Sequence, residues 1–130
     1  MTMFRWGEQN NALLALHGFT GCGMDFEALV PFLPAGMAPD LPGHQQAPPA
    51  TMAGAVAALA PLAEGRVVVG YSMGGRTALQ VACAAEVRAL VLIGATPGIS
   101  EEGARRERQA QDHALACLLY TSPSPRDGTK

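Results

Sequence analysis

The chain has 130 residues, room for at most one domain with a modest core. Apolar residues make up 48 % and charged residues 15 %, a balance that suits buried parallel strands covered by helices. The net charge of −2 argues against a nucleic-acid partner, which calls for a basic patch, and no apolar run approaches the roughly 20 residues of a membrane span.

No signal peptide precedes the first strand, and Cys22, Cys83 and Cys117 are odd in number and lack metal-ligand spacing. A reduced, cytoplasmic protein with no metal, no cofactor and no membrane partner is the expectation, its oligomeric state left open.

Along the chain, Phe4-Arg5-Trp6 reads as the stub of an early strand. Ala12 to Leu16 is a buried strand that runs into His17-Gly18-Phe19-Thr20-Gly21. A helix is expected over Phe26 to Leu33, with Asp25 as its N-cap and a stop near Pro31 and Pro34. Gly36 to Asp40 follows as a short strand, and Leu41-Pro42-Gly43-His44 as its C-terminal loop. Gln45 to Ala50 is a Pro-rich connector, and the Ala-rich stretch Met52 to Ala63 is a helix covering one sheet face.

The strand Val67-Val68-Val69 ends in Gly70-Tyr71-Ser72-Met73-Gly74-Gly75, with helix-forming residues from Arg76 onward. This is G-x-S-x-G between a buried strand and a helix, the setting of a nucleophile elbow. Glycines are needed where the backbone doubles back, and Gly75 lets the helix pack close to the strand. Ser72 then sits exposed at a strand end above the positive end of a helix dipole, with the Met73 N–H ready to hold a developing negative charge. The alternative is a Gly-rich strand-to-helix turn without chemistry, as in any doubly wound α/β protein.

Val87 to Gly94 is another buried strand. Strands separated by helices at short intervals predict a parallel sheet with right-handed crossovers and chemistry at the carboxyl ends of the strands. Phe19, Asp40, Ser72 and Ala95-Thr96 all fall at that edge. Residues 98–116 form a charged helical segment, with Ser100 as the expected N-cap, Glu101 and Glu102 in its first turn, and Arg105, Arg106 and Arg108 mostly solvated.

From Cys117 the composition changes again. One reverse translation of Cys117 to Asp127 reads as a transposase sequencing adapter in frame, so residues 117–130 are expected to be non-native; a natural Ser/Pro-rich tail is the alternative. The rest then divides into a core over residues 1–97 and the start of a cap over 98–116.

With these residues assembled, the chain resembles the α/β-hydrolase superfamily over residues 11–116. More narrowly it is similar to the 2-succinyl-6-hydroxy-2,4-cyclohexadiene-1-carboxylate synthase family of menaquinone biosynthesis, on LHGFTGCGMDF, APDLPGH, GYSMGGRTAL, LVLIGATPGIS and the segment ending RQAQDHALA. Arg76 after the elbow glycines, and ATPGI leading to Arg108 four residues before Asp112, carry the narrower likeness. Gly94 and Cys22 stand where serine is more usual.

The resemblance implies the N-terminal part of an α/β-hydrolase fold with the beginning of a helical cap. It implies a lyase that eliminates pyruvate from a carboxylated cyclohexene. Ser72 is then the catalytic serine, Phe19 and Met73 the oxyanion-hole donors, and Tyr71, Arg76 and Arg108 the substrate-binding residues. A serine esterase or carbon–carbon hydrolase on the same fold is the alternative, and an inactive truncated relative a third.

In this superfamily the triad order is serine, carboxylate, histidine, so His44, which precedes Ser72, reads as a loop-ordering hydrogen-bonder and His17 as structural. After Ser72 the only histidine is His113, beside Asp112. Neighbours in a helix point about 100° apart and do not face one another, so the pair cannot complete a triad and the chain as written is expected to be inactive. The strand at the far sheet edge is expected to lack a partner and to make the chain poorly soluble.

Overall fold

Four apolar residues with no polar interruption, Leu13–Leu16, form strand β2, buried along its whole length at the centre of the sheet. The computed structural model describes residues 2–8 and 12–121; the expected adapter-derived tail lies, from residue 122 onward, outside the described residues. Five strands, β1 (Met3–Trp6), β2, β3 (Gly36–Pro39), β4 (Val67–Tyr71) and β5 (Ala89–Ile93), lie in the order β1-β3-β2-β4-β5. Helices α1 (Met52–Ala63), α2 (Met73–Ala84) and α3 (Glu102–Thr121) complete the set with a 3₁₀ helix, Gly23–Phe32. The described residues form two compact units that divide between Pro97 and Gly98. Among them, no helix is long and apolar enough to cross a membrane.

The expected parallel sheet holds for β2 to β5, with Leu13 to Leu16 opposite Val67 to Gly70, and Val67 to Tyr71 opposite Ala89 to Ile93. The early strand departs from it. β1 pairs antiparallel with β3, Met3 opposite Pro39 and Trp6 opposite Gly36, so the sheet is mixed.

Side chains alternate across the strands and so build two cores. Leu14, Leu16, Met37 and Val68 point to one face, where Leu59 and Ala63 of α1 and Ala78 and Val81 of α2 close over them. Leu13, Ala15 and Ala38 point to the other, against Trp6 and Phe26. Trp6 Nε1 donates to the Pro34 carbonyl at 2.7 Å, which ties β1 to the end of the 3₁₀ helix.

Two caps differ from expectation. The helix placed at Phe26 to Leu33 begins earlier and is 3₁₀ with Pro31 inside it; Cys22, not Asp25, is its N-cap. Asp25 sits three residues in, where its Oδ2 accepts the Cys22 N–H at 3.0 Å, the reciprocal arm of a capping box. At α3 it is the Glu101 carboxylate, not Ser100, that accepts the first helical N–H groups, from Gly103 at 2.9 Å and Ala104 at 3.2 Å. A carboxylate at this position also meets the positive helix end, an advantage that a hydroxyl lacks. Thr51 caps α1, its Oγ1 accepting the Gly54 N–H at 3.1 Å.

β5 bounds the sheet, and its exposure alternates. Leu90 and Leu92 pack against the α1–α2 core, whereas Val91 and Ile93 are 43 % and 49 % exposed. An apolar edge strand with one open face invites pairing with another chain. The chain is therefore expected to self-associate in a concentration-dependent way. Val91→Lys should shift it towards monomer in light-scattering measurements, at a stability cost within about 1 kcal/mol because the site is exposed.

Candidate active site

Ser72 is the hinge between β4 and α2. Its backbone lies at φ 53° and ψ −114°, a left-handed φ that a residue with a side chain adopts only when its surroundings enforce it. Three contacts do so. A Cβ at Gly70 would lie 2.5 Å from the Gly75 Cα, one at Gly74 would collide with the carbonyl oxygens of Leu16 and His17, and one at Gly75 would collide with the Ala95 side chain. The first turn of α2 is thus pressed onto the ends of β2 and β5 with no space for a side chain. The Ser72 N–H continues the ladder to the Ile93 carbonyl at 2.8 Å, and the Ser72 carbonyl accepts from Gly75 and Arg76 at 3.0 and 3.2 Å. The helix therefore starts at Met73, three residues before the expected Arg76. The Ser72 side chain makes no cap bond to α2. Met73 and Gly74 carry the first N–H groups of α2, which have no acceptor within a helix.

The loop after β2 comes directly to this junction. A side chain at Gly18 would press on the Tyr71 ring at 3.0 Å and lie 3.6 Å from the Ser72 Cβ. Gly18 to Gly21 is a turn closed by the Gly21 N–H on the Gly18 carbonyl at 3.0 Å, with Phe19 and Thr20 at its centre. Phe19 is exposed, and Thr20 has φ 65°.

Two imidazoles hold this loop. His17, 1 % exposed, approaches the Gly18 carbonyl through Nδ1 at 2.8 Å and accepts the Leu41 N–H on Nε2 at 2.9 Å. A carbonyl only accepts and an N–H only donates, so the proton is on Nδ1 and the ring is neutral. Burial pushes the His17 pKa below the ordinary imidazole value; the Gly18 hydrogen bond and the carboxylates Asp40 and Asp25 oppose the shift, and His44 adds to it. His44 repeats the pattern, with Nδ1 on the Pro42 carbonyl at 3.2 Å and Nε2 accepting the Thr20 N–H at 3.1 Å. Both histidines have the structural roles expected of them. What sequence reasoning missed is that they are in contact, ring centroids 4.9 Å apart edge to face, with the Phe19 ring 6.0 Å from His44. The available signal was a histidine just beyond the carboxyl end of two successive parallel strands. Asp40 is buried with its Oδ1 on the Gly23 N–H at 2.9 Å, and no buried side-chain polar atom lacks a partner among the described residues.

Of the remaining expected site residues, Tyr71 is 53 % exposed beside Gly18, and Arg76 is exposed on the first turn of α2. Arg76 enters no ion pair among the described residues. A cleft of about 130 Å³ opens between the Leu41–Pro42 loop, the start of α1, and Met73 and Thr77. In the second unit Arg108 Nε pairs with Asp112 Oδ1 at 2.8 Å, and His113 Nε2 lies 3.7 Å from the Cys117 Sγ. Asp112 and His113 thus engage different neighbours, as their adjacent places on a helix require. No group of three or more potential metal ligands occurs among the described residues.

A parallel sheet with a glycine-flanked serine at a strand-to-helix hinge is the pattern of one large enzyme family, and residues 13–127 match it: the chain belongs to the alpha/beta hydrolase family. It is 37 % identical over 133 residues to lipase LipV of Mycobacterium tuberculosis, covering 92 % of this chain and 50 % of the lipase. It is 34 % identical to 2-succinyl-6-hydroxy-2,4-cyclohexadiene-1-carboxylate synthase of Klebsiella pneumoniae, covering 85 % of this chain and 49 % of the synthase. Among solved structures, MenH from S. aureus superposes with a TM-score of 0.79 at 25 % identity, over 92 % of this chain and 51 % of that one. The chain thus spans about half the length of these relatives.

Two outcomes follow from the geometry. Gly74→Ala drives a methyl into two carbonyl oxygens that cannot move without shifting β2, and should cost about 3 kcal/mol or more in denaturant unfolding. His17, its folded pKa lowered, binds fewer protons than in the unfolded chain. Its share of stability is complete above the unfolded value of about 6.5 and is lost as pH falls towards the folded one. Unfolding midpoints should fall between pH 7.5 and 5.5, and less steeply in His17→Gln.

Proposed function

We propose that the chain is the N-terminal half of a carbon–oxygen lyase of the alpha/beta hydrolase family, acting on a small carboxylated substrate and eliminating pyruvate from a cyclohexene carboxylate. The observation that carries the reading is the junction itself: Ser72 held at positive φ, Gly18 against it, and the first N–H groups of α2 beside it. Likeness in sequence to two proteins named for this synthase activity, at 30 % and 34 % identity, supports it.

In this reading Ser72 is the elbow serine. The proton α to the succinyl carbonyl is removed by Ser72 acting with a histidine and a carboxylate from the remaining half of the enzyme. The electron pair moves onto the carbonyl oxygen, which the Phe19 and Met73 N–H groups receive as an enolate. The positive end of α2 favours the same charge. As the carbonyl re-forms, the electron pair shifts through the ring and breaks the ring carbon–oxygen bond, and the departing enolpyruvate takes up the abstracted proton from the histidine to become pyruvate.

The lyase is distinguished from an esterase by charge. Arg76 lies four residues after Ser72, and side chains on a helix lean towards its N-terminus, so its guanidinium is within reach of the hinge when a substrate carboxylate is bound there. A forked cation suits a substrate carboxylate and gives an uncharged ester nothing. Tyr71 borders the reacting groups in this reading. A serine hydrolase is the second reading, favoured by the likeness to lipase LipV.

The test uses the whole enzyme, this chain joined to its downstream half. Arg76→Ala should lower kcat/KM for the carboxylated cyclohexene about 30- to 100-fold, the worth of a charge-assisted hydrogen bond. It should leave hydrolysis of p-nitrophenyl acetate within about twofold. An unchanged kcat/KM for the carboxylated substrate refutes the lyase assignment. Loss of ester hydrolysis alone in Ser72→Ala selects the hydrolase.

A further inference from the structure

The chemistry above uses neither His17 nor His44, yet the two rings are what joins the loop after β2 to the loop after β3. Each ring spends its one proton on a carbonyl, Gly18 for His17 and Pro42 for His44, and offers its bare Nε2 to a backbone N–H of the opposite loop, Leu41 and Thr20. The two loops are thus cross-linked in both directions. Edge-to-face contact between the rings, and between His44 and Phe19, fills the space between them.

Thr20 is the weak point that needs this support. It occupies the third position of a four-residue turn at φ 65°, while Phe19 before it has no positive φ, which makes the turn type II. That position favours glycine or asparagine, and threonine, branched at Cβ, is strained there. The Gly21–Gly18 bond closes the turn, but only His44 holds the Thr20 N–H, and hence the direction of the Phe19–Thr20 peptide.

We propose that His44 is a positioning residue that holds the Phe19–Thr20 turn only in its neutral form, so that proton uptake by the His17–His44 pair releases the loop carrying the Phe19 N–H. The acceptor and the titrating atom are the same nitrogen. A proton on His44 Nε2 turns an N–H acceptor into a donor facing the Thr20 N–H, so the bond is lost and the exposed Thr20 N–H turns to water. The carboxylates that act on His17 are Asp40, just after β3, and Asp25, in the 3₁₀ helix. Both favour charge on His17, but burial of that ring outweighs them, so His17 is held neutral at neutral pH. The consequence for catalysis rests on the lyase reading; the clamp itself does not.

The test is a pH titration of this chain by ¹H–¹⁵N NMR, at a concentration where it is monomeric. At neutral pH both Nε2 resonances should fall in the range of an unprotonated imidazole nitrogen. The Thr20 amide shift should then move in step with the His44 ring as the pH is lowered, and its protection factor, taken relative to the intrinsic exchange rate at each pH, should fall at least tenfold. His44→Gln restores an acceptor without a titrating group, so its Thr20 amide should stay protected through the same range, whereas His44→Ala should leave it unprotected at every pH. A Thr20 amide that ignores the His44 transition overturns the proposal, as does protection unchanged in His44→Ala. The wild-type titration decides the matter even if a variant fails to fold. In the whole enzyme, the acid limb of kcat should be shallower in His44→Gln with KM unchanged. A clamp seen by NMR in an enzyme that turns over only esters leaves the clamp standing and refutes the lyase.

Discussion

The structure depends on how closely the first turn of α2 approaches the carboxyl ends of the strands. Gly74 rests on the carbonyls of Leu16 and His17, Gly75 on Ala95, and Gly70 on both glycines. With a single methyl at Gly74 the helix would have to back away from β2, and the strand-to-helix bend at Ser72 would open. The positive φ of Ser72 is the result of that approach. Strain of this kind is kept only where the surroundings over-determine it, and here the ladder bond to Ile93 and the packed turn of α2 both do so.

A second constraint concerns polar groups at the same edge. Parallel strands end in carbonyls and N–H groups that the sheet no longer pairs, and side chains in and beside the loops after β2 and β3 satisfy several of them. His17, His44 and Asp40 do this for Gly18, Leu41, Thr20, Pro42 and Gly23. Three side chains thus tie the two loops to each other at the sheet edge that carries Ser72. Thr77, the other buried polar residue, is satisfied within α2 by the Met73 carbonyl at 3.1 Å.

The element order could be read from the chain because apolar runs, glycines and prolines fall where strands and turns need them. Leu13–Leu16 and Val67–Val69 read as buried strands, and the spacing of Gly70, Gly74 and Gly75 gave the hinge at Ser72. The antiparallel β1 was not readable: four residues around one tryptophan carry no direction, and β1 pairs with residues thirty or more positions further on. The 3₁₀ helix was misplaced because Pro31 argues against α-helix while tolerating the tighter winding. Capping by Cys22 and Glu101 depended on which of several polar side chains the backbone happened to aim at the helix end. The histidine pair was hidden for a similar reason, since Thr20 and His44 lie 24 residues apart and meet only once two parallel strands are in register.

One hydrogen bond, from the Ser72 amide to the Ile93 carbonyl, links the hinge to the outermost strand of the sheet. Fraying begins at such margins, where ladder bonds are most open to water. The aim of the serine hydroxyl is therefore tethered to an edge strand, and deuterium uptake along β5 becomes a gauge of how firmly that hydroxyl is held. Stiffening the deep interior around Leu14 would do little for it; bracing the margin would do more.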